Sequence, residues 1–246
     1  GGLQRWRLCA REACGIRQAM AKANETWTVL PHKPIEEVAD NLWRVQGGLP
    51  NMPLKRVMTI ARGADGGLVV HNAIALDDES MGRIDAWGPV KFLVVPNGYH
   101  RLDAKVFKDR YPQAKVLCPR GATRKVGEVV AVDGAYEDFP ADPAIRFETL
   151  AGTREQEGVM IVRSGDGVTV VFNDAMFNMP HASGFSGFIF KYVTQSTGGP
   201  RVSRLARMFI VKDRMAFRGH MLKLAELPEL RRVIVSHHRM ISEDAA

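Results

Sequence analysis

A chain of 246 residues that is 46% hydrophobic and 25% charged has the make-up of an ordinary globular protein, with length for one large domain or two small ones. These proportions exclude disorder, collagen and a coiled coil, and no apolar run approaches the roughly 20 residues needed to cross a bilayer. The formal net charge is +7. Residues 201–232 hold nine Lys or Arg against three acids, Asp213, Glu226 and Glu229, so this region attracts anions. Nucleic acid, an anionic membrane face and an acidic small molecule all fit such a charge, and a solvated basic helix face is the plainer account. Three cysteines, Cys9, Cys14 and Cys118, are too few and too unevenly spaced for a disulfide framework or a zinc ribbon and read as free thiols.

Residues 1–25 carry helix-favouring text around Gln18-Ala19-Met20-Ala21-Lys22-Ala23 and several arginines, without the central apolar segment of a secretory signal. The chain therefore reads as a basic helical leader or appendage over 1–25 and a single cytoplasmic domain over 26–246. From Trp27 onward, short β-like runs alternate with Gly, Pro and Asn: residues 27–30, 42–46, 57–61 and 68–71, the pattern of a meandering sheet edge. Residues 77–87 predict a helix capped by Asp77, 90–95 a buried strand, 102–110 a second helix and 116–118 a strand, which is βαβ grammar. Residues 145–150, 159–163 and 168–172 read as three more strands, the last two closed by a tight turn through Ser164-Gly165-Asp166-Gly167. Residues 201–210 and 215–224 read as amphipathic helices, and 233–236 as a final buried strand.

Ligand-type side chains collect where these strands end: His71, Asn97 and His100, Asp174, and His237. Strand ends are where α/β sheets place their sites, and imidazole with carboxylate suits zinc or iron. Adjacent His237 and His238 point to opposite sides of an extended chain, so one of them faces a given pocket. His181, in a loop after the Asp174 strand, can reach the same edge. A strand-end histidine that bonds a backbone group, or an Asn-Asp pair that shapes a turn, is the bland alternative at each position. Ser183-Gly184-Phe185-Ser186-Gly187 lacks nucleophile-elbow spacing, and neither a dinucleotide nor a P-loop glycine pattern occurs.

Taken in order, these segments resemble the metallo-β-lactamase-like superfamily, and more closely its DUF4336-type branch of uncharacterised proteins. Asp40-Asn41-Leu42-Trp43-Arg44-Val45 looks like the family's first strand. Gly66-Gly67-Leu68-Val69-Val70-His71-Asn72 looks like a following strand that usually ends in aspartate. Residues 94–104 occupy the place of the H-x-H-x-D-H loop, with Asn97, Tyr99, Arg101 and Leu102 at the motif's positions and His100 off register. Val171-Phe172-Asn173-Asp174 looks like the strand that carries the bridging aspartate, and Val233-Ile234-Val235-Ser236-His237-His238 like the one that presents the last histidine.

The resemblance implies an α/β (α+β) four-layer αββα sandwich. It also implies one divalent metal ion, zinc or iron, or none, with Asp174, His237, His100 and His181 as ligands and Arg101, Asn97, Tyr99 and His238 toward substrate. The activity it implies is hydrolysis of an ester, lactone or phosphoester, with Asp174 or a nearby base orienting the attacking water. The alternative is an inactive αββα protein that recognises an anionic ligand, a partner or nucleic acid.

Overall fold

The computed structural model describes residues 23–50, 52–179, 181, 197–204, 206–237 and 239–242, and the proposed leader lies almost entirely outside them. Two mixed sheets form the frame. The larger runs β1 (Glu36–Ala39), β2 (Leu42–Leu49), β3 (Met52–Arg62), β4 (Leu68–His71), β5 (Val90–Val94), β6 (Lys115–Cys118) and β7 (Gly134–Ala135) side by side in chain order. Its first four strands are antiparallel and β4 to β7 parallel. The smaller sheet has β8 (Ile145–Thr149), β9 (Gly158–Ser164), β10 (Gly167–Phe172) and β13 (Leu230–Val235) in the order β13-β10-β9-β8. A separate ribbon pairs β11 (Phe177–Met179) with β12 (Gly199–Arg201). Helices α1 (Asp78–Trp87), α2 (Ala104–Arg110), α3 (Thr123–Val126) and α4 (Arg214–Ala225) complete the described elements, with shorter helical turns between them.

Side-chain alternation builds the four layers. Along β4, Leu68 and Val70 turn outward to meet Met81 and Ile84 of α1, while Val69 points inward. Along β10, Val168, Val170 and Phe172 face Phe217 and Leu224 of α4, and Val171 faces inward. The inward sets from the two sheets, Val57, Val69 and Val94 against Met160, Val162 and Ile234, form the middle core. Both sheets are thus apolar on both faces, which explains why their strands read as continuous hydrophobic runs and requires helices on each outer side.

Local signals set most boundaries. The Asp77 carboxylate accepts from the Ser80 backbone N–H at 2.8 Å and starts α1 where the cap predicts it. Ser164 pairs with Gly167, so the β9–β10 hairpin forms where expected; it turns on Gly165 and Asp166, and the positive φ, 136°, falls on Gly167 after them. Two expectations need correction. Residues 27–30 join no ladder; Pro31 and Pro34 remove backbone donors, leaving an isolated bridge from His32 to Gly47, and Trp27 instead stacks on Phe107. The helix expected over 201–210 is only a π turn over Ala206–Ile210, because residues 199–201 pair with β11 and Ser203 Oγ then accepts from the Ala206 N–H to open the turn.

The loop after β5 is anchored by a buried ion pair. Arg56 Nη2 lies 2.6 Å from Asp103 Oδ2, with both side chains almost wholly out of solvent. Asp103 also accepts from the Ala75 N–H and from Asn24 Nδ2. Removing one partner strands a buried charge, so Asp103→Ala is expected to lose about 3–5 kcal/mol in urea unfolding, and the Arg56→Met/Asp103→Leu pair much less. Equal losses for the two variants would contradict this reading of the pair.

Candidate metal centre

The parallel pairing of β10 with β13 aligns Phe172 with Val235, so the next residues of both strands leave the sheet together. Asp174 and His237 are each two residues past that pair. From the larger sheet, β5 ends at Val94 beside His71 of β4, and the loop that follows brings in His100. The sheets are joined at this rim by a hydrogen bond from the Val57 N–H to the Ser236 carbonyl, 2.8 Å. One ligand atom from each of His100, Asp174 and His237 lies within 4.8 Å of the others. Asp174 Oδ1 is 3.0 Å from His100 Nε2 and 3.0 Å from His237 Nε2.

What surrounds these three residues fixes their protons. His237 Nδ1 lies 2.8 Å from the Lys55 carbonyl oxygen, which can only accept, so Nδ1 carries the hydrogen. His100 Nδ1 lies 3.2 Å from Asn72 Oδ1, and Asn72 is oriented by its Nδ2 donating to the Val57 carbonyl at 2.8 Å. His100 therefore also carries its hydrogen on Nδ1. When both rings are neutral, their Nε2 lone pairs point at a carboxylate oxygen. Only protons or a cation relieve that convergence of three electron-rich atoms. Outer partners that lock the tautomer in this way are the usual surroundings of metal-bound imidazole.

Asn97 completes the frame. Its Oδ1 accepts from the backbone N–H groups of Tyr99 and His100, and its Nδ2 donates to Asp174 Oδ2 at 2.8 Å and to Glu157 Oε1 at 2.5 Å. All four bonding positions of the amide are used inside the protein. Burial raises the Asp174 pKa, but when the two imidazoles are protonated the charge and hydrogen bonds of His100 and His237 outweigh it and hold the group well below the usual carboxylate range. Burial, then the negative charge of Asp174, pushes Glu157 well above that range, so the two neighbouring carboxyl groups are driven in opposite directions. Phe177 stacks flat on His237 with ring centres 5.2 Å apart and covers one face of the ligand.

The remaining sequence-derived candidates lie as follows. His181 is exposed, its Nδ1 3.1 Å from Thr197 Oγ1, and it does not join the three-residue group. Arg101 turns from the cluster to Glu128, 2.7 Å away, and to the Lys125 carbonyl. Tyr99 is exposed beside His100, with the Lys125 ammonium 4.1 Å from its ring centre. His238 lies outside the described residues. Neither the Asn72 contact nor Glu157 is visible from the sequence; Asn72 leaves β4 with a left-handed φ of 58°, a conformation asparagine tolerates.

The sequence matches no protein-family model and no curated protein. The fold does match solved structures. A metallo-β-lactamase from Pontibacter korlensis superposes with a TM-score of 0.56 at 10% identity, over 87% of this chain and 95% of that one. A metallo-β-lactamase of Erythrobacter litoralis gives 0.56 at 16% identity, over 86% and 91%. One from Pseudomonas aeruginosa, in its mono-zinc form, gives 0.56 at 12% identity, over 88% and 92%. The chain has the metallo-β-lactamase fold, the αββα architecture its element order implies.

His71 lies on the inward face below this rim, and among the described residues neither of its ring nitrogens has a hydrogen-bond partner. Burial first, and then the charge that His100 carries when protonated, brings its pKa down to about 3. The unfolded imidazole takes its proton near 6.5, so between about pH 6.5 and 3 the unfolded state binds the extra proton and stability falls as pH drops, by up to about 1.4 kcal/mol per unit. Urea unfolding of His71→Leu is expected to show a flatter loss between about pH 6 and 4 than the native chain. Parallel pH profiles would remove His71 as the cause.

Proposed function

We propose that the chain is a metal-dependent hydrolase of the metallo-β-lactamase fold with a single-ion centre, held by His100 Nε2, His237 Nε2 and Asp174 Oδ1. The observation that carries this reading is the pair of outer contacts, His237 Nδ1 to the Lys55 carbonyl and His100 Nδ1 to Asn72 Oδ1, which leaves both Nε2 atoms facing the carboxylate. Two imidazoles and a carboxylate suit zinc or iron, and three protein ligands leave a coordination position open, as in catalytic zinc sites. A bound ion there supplies acidification of a water molecule and polarisation of an ester, lactone or phosphoester.

Around the ion, the chain's own residues have separable tasks. Asn97 is a positioning residue that turns Asp174 so that Oδ1 faces the imidazoles. The Lys55 carbonyl and Asn72 hold the rings in register. Phe177 excludes water from one face of His237. Tyr99 and Lys125 form the exposed lip next to His100, where a substrate's anionic group meets a cation. Within the fold, we place the chain beside the DUF4336-type branch on the order of its elements and on a loop after β5 that carries one histidine.

Elemental analysis of protein purified without added metal is expected to find about one zinc or iron per chain. Asp174→Ala and His237→Ala should each abolish the bound metal, and Asn72→Ala should weaken metal affinity by roughly 10–100-fold, the usual effect of losing an outer partner. Metal content unchanged in both ligand variants would reject the assignment. Turnover of a phosphodiester or lactone by the loaded protein, lost in the same variants, tests the hydrolytic step.

A further inference from the structure

The surface formed by residues 204–223 combines charge and apolar exposure in a way the metal centre does not use. Its cations are Arg204, Arg207, Lys212, Arg214, Arg218 and Lys223, all exposed, and Asp213 is its single acid. That acid serves the helix: Asp213 Oδ1 accepts from the backbone N–H groups of Met215 and Ala216, 3.0 Å each, as the N-cap of α4. The same stretch holds four of the six large hydrophobic side chains exposed among the described residues: Met208 at 57%, Phe209 at 52%, Met215 at 74% and Leu222 at 49%. Scattered exposed apolar groups are ordinary, and such a concentration is not.

Helix geometry sorts these side chains. Phe217 and Leu224 seat α4 on the smaller sheet. Met215, Arg218 and Leu222, spaced i, i+3 and i+7, share the opposite face. Gly219 lies on that outer face too, and a Cβ built there would meet nothing within 4 Å. Helix α4 therefore carries large apolar side chains on its outer side as well, interleaved with Arg218, and only the inner side is covered by the described residues.

A second copy of this chain is a poor occupant, because a two-fold contact on this face sets six cations against six. A surface that carries fixed negative charge over an apolar layer matches both properties. We propose that the outer face of α4, with the π turn before it, is a peripheral membrane-binding surface for anionic phospholipid. Met215 and Leu222 enter the boundary between headgroups and acyl chains, while Arg214, Arg218 and Lys223 meet the phosphates. The attachment is interfacial: no described helix is long and apolar enough to cross a membrane.

Co-sedimentation of the full chain with vesicles tests this directly, using phosphatidylcholine alone against phosphatidylcholine with added phosphatidylserine. Binding to the anionic vesicles only, weakened by salt, is expected. With each cation worth about fivefold in partition, Arg214→Glu/Arg218→Glu should lower binding by more than about 20-fold. Met215→Ser/Leu222→Ser should lower it while keeping the salt dependence. These side chains are exposed, and unchanged circular dichroism confirms that the variants fold. Equal binding to both vesicles, binding to neither, or indifference to both variants overturns the proposal. So does a concentration-dependent dimer in sedimentation equilibrium that Met215→Ser abolishes, since that assigns the face to a second copy.

Discussion

A neutral imidazole has one N–H, and in both site histidines it points away from the site. His237 gives its hydrogen to the Lys55 carbonyl and His100 to the Asn72 amide oxygen, so each ring, while neutral, offers Asp174 a bare nitrogen. Three lone-pair donors brought this close repel one another unless positive charge sits among them. Two protons would serve, at the cost of two buried imidazolium ions. One divalent cation serves all three donors at once, which is why the outer hydrogen bonds matter more to the functional reading than the bare presence of two histidines and an aspartate.

The fold supplies that arrangement from segments far apart in the chain. Asp174 lies 74 residues from His100 and 63 from His237. The aspartate and the second histidine come from neighbouring parallel strands of the smaller sheet, and the first histidine from a loop off the larger one. The middle core sets the separation of the sheets, and the Val57–Ser236 backbone bond ties them at the rim. Below the rim the protein accommodates unfavourable polar burial: a His71 without a hydrogen-bond partner among the described residues, a raised Glu157 and an Arg56–Asp103 pair that anchors the His100 loop. Such groups stabilise little by themselves, and their position around one site gives them a shared role in holding it.

Much of the frame was legible in the sequence because its signals are local. Asp77 announces a helix, Gly165-Asp166 a hairpin, and the runs at Leu68–His71 and Val90–Val94 buried strands. Residues 27–30 look β-prone through Trp27, but that ring packs on Phe107 and the chain meets the edge of β2 only from Pro31 onward, through the His32–Gly47 bridge. The site was legible as strand ends, which picked out Asp174, His237 and His100. A residue-by-residue match to the H-x-H-x-D-H loop passes over His100, since only the three-dimensional course of the loop shows that its ring turns inward. Asn72 and Glu157 act across 28 and 60 residues of chain, to His100 and Asn97, and no pattern within either segment encodes those contacts.

Imidazole nitrogen resonances report directly on whether the two Nε2 atoms face a bound ion. In 15N-labelled protein titrated with zinc, the account predicts that the Nε2 signals of His100 and His237 shift together to metal-bound positions while both Nδ1 atoms keep their protons. Zinc that leaves both Nε2 signals in place, or binds through Nδ1, would contradict it.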